Sequence, residues 1–166
     1  MFCLHGTVII RSKSPEALMM NIESLLSRKG REVFYIHPDA PLSECIAKLS
    51  DKQVGALLVM DFKRELLGII SERDILRLAY AKQCQICDIP VRQVMTPRQR
   101  LLVATPQDSI ESVMERMTTN RVRHLPIMEG EKLVGIVSIG DVVKGLLEMA
   151  KRENEQMKDY VLGKYN

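Results

Sequence analysis

Apolar residues recur along this chain in two alternating registers. Leu42, Cys45, Ile46 and Leu49 fall at i, i+3, i+4 and i+7, and Ile110, Val113, Met114 and Met117 do the same. Each set is one stripe of a short amphipathic helix. Pro41 suits the first turn of the first helix, and Asp108-Ser-Ile-Glu111 has the form of a capping box for the second. Largely apolar runs follow, Val54–Met60 and Val122–Met128 (the latter with Arg123 and His124 near its start), then Leu66–Ile70 and Leu133–Val137. These predict buried strands joined by polar turns. Ile75, Leu76, Ala79 and Tyr80 match Val142, Val143, Leu146 and Leu147 in spacing and predict a closing helix after each strand pair. Upstream, Met20–Gly30 reads as a capped amphipathic helix ending in Gly, and Asp141–Val161 as one long final helix, mainly charged from Met149 onward.

The matching spacings are a repeat. Pro38, Val54 and Leu57 match Pro106, Val122 and Leu125 at an offset of 68, and Leu66, Gly68, Ile69, Ser71 and Asp74 match Leu133, Gly135, Ile136, Ser138 and Asp141 at 67. The offset changes in a polar turn, where a chain tolerates a one-residue difference in length. Each unit is helix–strand–strand–helix, preceded by an extended piece at Val33–His37 or Leu101–Thr105. A unit of about 55 residues buries too little surface to stand comfortably alone, so the two are expected to cover each other around a pseudo-twofold axis. The fold class is therefore α+β. The expected organisation is an extension at 1–19, a helix at 20–31, a first repeat at 32–90, a second at 91–147, and a C-terminal helix and tail at 148–166. Val94-Met-Thr-Pro97 lies in the connection between repeats.

Composition narrows the functional classes. The chain has 166 residues, 46% of them hydrophobic, so disorder is not expected. With no Trp, three Phe and four Tyr, aliphatic residues and ten Met fill the interior. A formal net charge of +3 from 24 basic and 21 acidic residues gives no footprint for nucleic acid or membrane. No apolar run approaches the roughly 20 residues that span a bilayer. Met1–Ile10 has no basic leader and no small-residue cleavage site, so a cytoplasmic location is expected. Cys84-x-x-Cys87 has metal or redox spacing, but no second pair lies near it.

No catalytic signature appears: there is no G-x-S-x-G, H-E-x-x-H, Walker loop or G-x-G-x-x-G. The expectation is a non-enzyme with no catalytic residue, no metal site and no required cofactor. What the chain does carry, twice, is Gly68-Ile-Ile-Ser-Glu-Arg-Asp74 and Gly135-Ile-Val-Ser-Ile-Gly-Asp141. In each, a buried strand delivers a Ser and an Asp follows in the first helical turn. Helix N-terminal amides attract anions, a Ser hydroxyl can donate to phosphate, and a fixed carboxylate can accept from both hydroxyls of a ribose. Ser-x-x-Asp also caps a helix without binding anything. Its recurrence at the same place in both repeats favours binding.

This duplicated Gly-hydrophobic-x-Ser-x-x-Asp, with Val94-Met-Thr-Pro97 and Arg123-His-Leu-Pro-Ile127, resembles the paired cystathionine β-synthase (CBS) repeats of a Bateman module over about Glu32–Lys144. The resemblance implies a regulatory module whose clefts between repeats bind AMP, ADP, ATP or NAD(H). It assigns ribose to Asp74 and Asp141 and phosphate to Ser71 and Ser138. Apolar backbone from Val54–Leu57 and Val122–Leu125 flanks the base. It also implies crossed sites: the Asp74 cleft borrows Arg123 and His124, and the Asp141 cleft borrows Gly55 and Ala56. Arg73 and Arg121 face either the first cleft or solvent. An exposed His124 would titrate near the ordinary value of about 6.5. A homodimer and a regulated partner protein are expected, the dimer motivated by more apolar helix faces than one small module can bury, the Met114 and Met117 stripe among them. Two other readings are a relative of inosine monophosphate dehydrogenase, which carries such a pair, and a purely structural dimerisation module with empty clefts.

Overall fold

The computed structural model describes residues 20–161; the extension expected at 1–19 lies outside them. Helix α1 (Ile22–Lys29) comes first, followed by the first repeat: β1 (Tyr35–Ile36), α2 (Leu42–Lys52), β2 (Ala56–Met60), β3 (Leu66–Ser71) and α3 (Glu72–Ala81). After β4 (Thr96–Pro97) the second repeat runs through α4 (Ile110–Thr119), β5 (His124–Glu129), β6 (Lys132–Ser138) and α5 (Ile139–Val161). In the first repeat β1 lies parallel to β2, β2 antiparallel to β3, and β3 antiparallel to β4. The second repeat pairs β5 with β6, and a parallel bridge from Ala104 to Ile127 stands where β1 stands in the first.

The two units match in details that residue identity does not show. Both hairpins bulge at the same place, between Val59 and Met60 and between Ile127 and Met128. The bulged strand twists locally to keep its apolar side inward. Gln53 and Arg121, which follow the first helix of each repeat, both adopt left-handed backbone, with φ of 52° and 54°. At the strand-to-helix junctions the Glu72 amide donates to the Gly55 carbonyl and the Ile139 amide to the Arg123 carbonyl.

Each repeat has its own core, and the chain crosses over to complete them. Leu42, Cys45, Leu49, Leu57, Val59 and Ile70 are buried in the first. In the second, Ile110, Val113, Met117, Leu125, Ile127 and Val137 are joined by Met20 and by Ile22, Leu25 and Leu26 of α1. The segment before the first repeat thus belongs to the second. Its backbone seals the contact: the Ile22 and Glu23 amides donate to Asp108 and Pro106, and the Ile110 amide to Met20. The connection between repeats does the same for the first, where the Leu42 and Ser43 amides that open α2 donate to Ile89 and Cys87. Those bonds explain why Pro41 precedes α2 as an extended residue without a side-chain cap, rather than lying in its first turn.

Two local expectations change. The residue that caps α4 is Ser109, whose Oγ accepts from the Ser112 amide; Asp108 instead accepts from the Thr105 amide and pairs with Arg116. Shifting the cap by one residue lets the shorter hydroxyl reach the third helical amide and frees the carboxylate for the preceding turn. Met117 is buried and Met114 packs on the core, so this stripe is interior. Among the described residues, uncovered apolar side chains lie on α3 (Leu76 71% and Tyr80 91% exposed) and α5 (Leu147 59%), with Phe62, 90% exposed, in the turn between β2 and β3.

Candidate functional site

Ser71 and Asp74 sit where β3 turns into α3, and Ser138 and Asp141 where β6 turns into α5. Asp74 Oδ2 accepts from the Ser71 amide at 3.0 Å and the Ser71 hydroxyl at 2.6 Å. Asp141 Oδ2 accepts from the Ser138 amide and hydroxyl, both at 2.8 Å. The motif therefore does cap each helix. It uses only one carboxylate oxygen to do so, and among the described residues each Oδ1 is without a hydrogen bond. Capping and ligand holding are compatible: the cap fixes a carboxylate that keeps acceptor capacity.

Each carboxylate opens onto a cleft made by both repeats. The Asp74 cleft, about 410 Å³, is lined by Ser71, Asp74, Arg123 and His124, together with Gly55, Ile69, Thr96 and Val122. Four arginines line it, Arg73, Arg77, Arg121 and Arg123, against two carboxylate residues, Glu72 and Asp74. The Arg73 side chain faces this cleft while its Nη1 donates to the Arg121 carbonyl at 2.8 Å, tying α3 of one repeat to the lead-in of β5 in the other. Among the described residues Arg77, Arg121 and Arg123 form no ion pair with a carboxylate. A cleft with unpaired guanidinium groups above a fixed carboxylate suits a sugar bearing phosphate.

The Asp141 cleft, about 320 Å³, is lined by Ser138, Asp141, Gly55 and Ala56, and also by Lys29, Glu32, Phe34 and His124. Both volumes fall in the range of small-molecule sites, roughly 300–1,000 Å³. Gly55 and His124 face both clefts. A side chain on Gly55 would come within 3.2 Å of the His124 ring, so the missing side chain gives the imidazole its place at the seam. His124 is half-buried rather than exposed. Burial pushes its pKa below the ordinary value, outweighing the upward pull of the Asp141 and Glu72 carboxylates. Of the two stretches expected to flank the base, Val54 and Val122 line the clefts, while the side chains of Leu57 and Leu125 are buried in the two cores.

The sequence reading missed Lys29. Its ammonium lies 2.7 Å from Asp141 Oδ2. Burial pushes the Asp141 carboxyl up, but Lys29 and the Ser138 donors outweigh it and hold its pKa below the usual range. Nothing in the spacing of Lys29 marks it, because its helix reaches this cleft by crossing to the other repeat. Phe34 and Thr96 were missed for the same reason: each is brought in by tertiary packing, outside the repeated motif. Arg77 lies one turn after Asp74 on α3, and that i, i+3 spacing was the signal that could have found it. Cys84 and Cys87 are exposed free thiols on the loop that holds the start of α2, and among the described residues no group of three or more His, Cys, Asp or Glu is placed to hold a metal. No described helix is long and apolar enough to cross a membrane.

Known proteins with this arrangement are many. The family model for the CBS domain matches residues 24–81 and again 91–148. Over 150 residues the chain is 29% identical to the CBS domain-containing protein CBSX3, mitochondrial, of Arabidopsis thaliana, covering 87% of this chain and 73% of that protein. Among solved structures, the CBS-domain containing protein ATU1752 of Agrobacterium tumefaciens matches with a TM-score of 0.71 at 35% identity, over 75% of this chain and 91% of that one. The CBS domain protein PAE2072 of Pyrobaculum aerophilum, solved in complex with AMP, matches with a TM-score of 0.66 at 25% identity, over 80% and 99%.

Proposed function

The chain belongs to the CBS-domain family as a tandem pair of its repeats, and from that premise we propose that it is a regulatory module, not an enzyme, which binds adenosine nucleotides in its two clefts. One observation carries the reading: the duplicated Ser-x-x-Asp fixes a carboxylate at the mouth of each cleft and leaves Oδ1 open. In this reading Asp74 and Asp141 accept the ribose hydroxyls, and Ser71 and Ser138 lie beside the phosphate. Arg123 and His124 serve the phosphate of the Asp74 cleft, and Gly55 and Ala56 shape the floor of the Asp141 cleft. The complex of the Pyrobaculum relative with AMP supports an adenosine ligand. The unpaired arginines support a phosphorylated one, with AMP, ADP, ATP and NAD(H) as the panel.

Occupancy is read out through a partner. The uncovered side chains of α3 and α5, Leu76, Tyr80, Val143 and Leu147, support association of two modules through these helices, and a cytoplasmic setting accompanies the reading. The same exposed faces favour the second reading, a dimerisation module that binds no ligand. Thermal unfolding against the nucleotide panel separates them. A ligand at 100 times its dissociation constant adds about 2.7 kcal/mol to the native state, so at least one nucleotide raises the melting temperature of the wild type. No shift with any member of the panel refutes the nucleotide reading. Light scattering at tens of micromolar protein reports the dimer, and a monomer mass refutes it.

A further inference from the structure

Asp74 and Asp141 occupy equivalent places, yet the donors bonded to them differ in one charged group. Asp141 Oδ2 takes three donors: the Ser138 amide, the Ser138 hydroxyl and the Lys29 ammonium at 2.7 Å. Asp74 Oδ2 takes only the two from its own Ser71, and no cation among the described residues pairs with it. Lys29 is held in place by its helix. Leu25 and Leu26 of α1 are buried in the second core, and Arg28 pairs with Glu148 of α5. Leu26 also lies over Gly135, which has no side chain to push it away. The Lys29 and Asp141 side chains are each 27% exposed, so their pair is partly shielded from water.

We propose that Lys29 is a specificity-determining residue that makes the Asp141 cleft prefer phosphorylated ligands over neutral nucleosides. The proposal rests on the reading of Asp141 as a ribose acceptor. All three donors fall on Oδ2, so Oδ1 is left for a ribose diol, but the Lys29 ammonium already draws on the charge of that carboxylate and weakens it as an acceptor. A neutral nucleoside therefore meets a weakened acceptor and gains nothing from the ammonium. A phosphorylated ligand brings its own anion, which competes with Asp141 for Lys29 and restores the carboxylate as an acceptor. In the Asp74 cleft no cation among the described residues sits on the carboxylate, so this exchange has no counterpart there.

The test isolates the Asp141 cleft in the Asp74→Ala background and measures adenosine and AMP by calorimetry at pH 7.5 with Lys29, Lys29→Met, Lys29→Gln and Lys29→Arg. With Lys29 present, AMP binds at least about tenfold tighter than adenosine. In Lys29→Met and Lys29→Gln, adenosine tightens by about two- to threefold and AMP weakens by about twofold, so a roughly tenfold preference falls to about two- to threefold; Lys29→Arg restores it. Two substitutions of different polarity guard against a folding defect in either one. An unchanged preference in both neutral variants overturns the proposal and leaves the ribose assignment standing. Failure of both ligands to bind in all four proteins overturns the ribose assignment and the proposal with it.

Discussion

Removing the Arg123 guanidinium is expected to separate phosphate binding from nucleoside binding in the Asp74 cleft. Arg123 lines that cleft, is exposed, and among the described residues has no carboxylate partner; it is absent from the lining of the Asp141 cleft. At about 4 Å and a water-like dielectric, one pair of unit charges is worth about 1 kcal/mol. An AMP phosphate near pH 7 carries close to two charges, so the contact is worth about 2 kcal/mol, or about 30-fold in affinity. Salt at physiological strength, with a Debye length of about 8 Å, trims this. Arg73, Arg77 and Arg121 remain to hold part of the phosphate. Arg123→Ala in an Asp141→Ala background is therefore expected to weaken AMP by about 10- to 30-fold and adenosine by less than about twofold. Calorimetry with both ligands measures the difference. Equal weakening of AMP and adenosine, or no weakening of either, refutes the phosphate assignment.

Two further outcomes follow from the packing. A side chain on Gly68 would fall well inside contact distance of the Thr96 carbonyl oxygen in the paired strand, whereas on Gly135 it meets the Leu26 Cδ2 methyl at 2.8 Å, which can turn away. Gly68→Ala is thus expected to destabilise by about 1–3 kcal/mol, lowering the melting temperature by about 3–10 °C, and Gly135→Ala by less than about 3 °C; equal effects would show that the strand β4 yields as readily as a leucine. His124, its pKa lowered by burial, binds fewer protons in the folded than in the unfolded state, so stability rises with pH. The contribution is present above the ordinary value of about 6.5 and is lost as pH falls below it. Urea unfolding at pH 7.5 and 5.5 is expected to show a smaller loss in His124→Gln than in the wild type, and identical losses would remove His124 as the cause.

The repeat, the α+β class and the strand-to-helix position of both Ser-x-x-Asp motifs were legible because the apolar periods were strong and occurred twice. Periodicity located α2, α4 and the four hairpin strands, since each buries one face or both. It could not say which core α1 joins. The stripe of Ile22, Leu25 and Leu26 is apolar whichever repeat it covers; backbone bonds to Asp108 and Pro106 and packing in the second core fix it there. Lys29, the residue with most effect on the Asp141 carboxylate, is therefore invisible to any reading that takes the repeats one at a time. The Met stripe of α4 shows the opposite error, in which apolar residues taken for a dimer face turn out to be interior, while the open faces lie on α3 and α5. His124 looked exposed beside the polar Arg121 and Arg123, but it opens β5 at the seam between repeats, where Leu125–Met128 are buried and His124 itself is half-buried.

The most direct test of the account is calorimetric titration of AMP into the wild type, Asp74→Ala, Asp141→Ala and the double variant. The account predicts that each single variant loses one binding event, or weakens it by tens- to hundreds-fold from about 2–4 kcal/mol of lost charge-assisted bonds. Each stays folded, since only a helix start is altered. The double variant then binds no AMP in the range the wild type does. A double variant with wild-type stoichiometry and affinity would contradict the account.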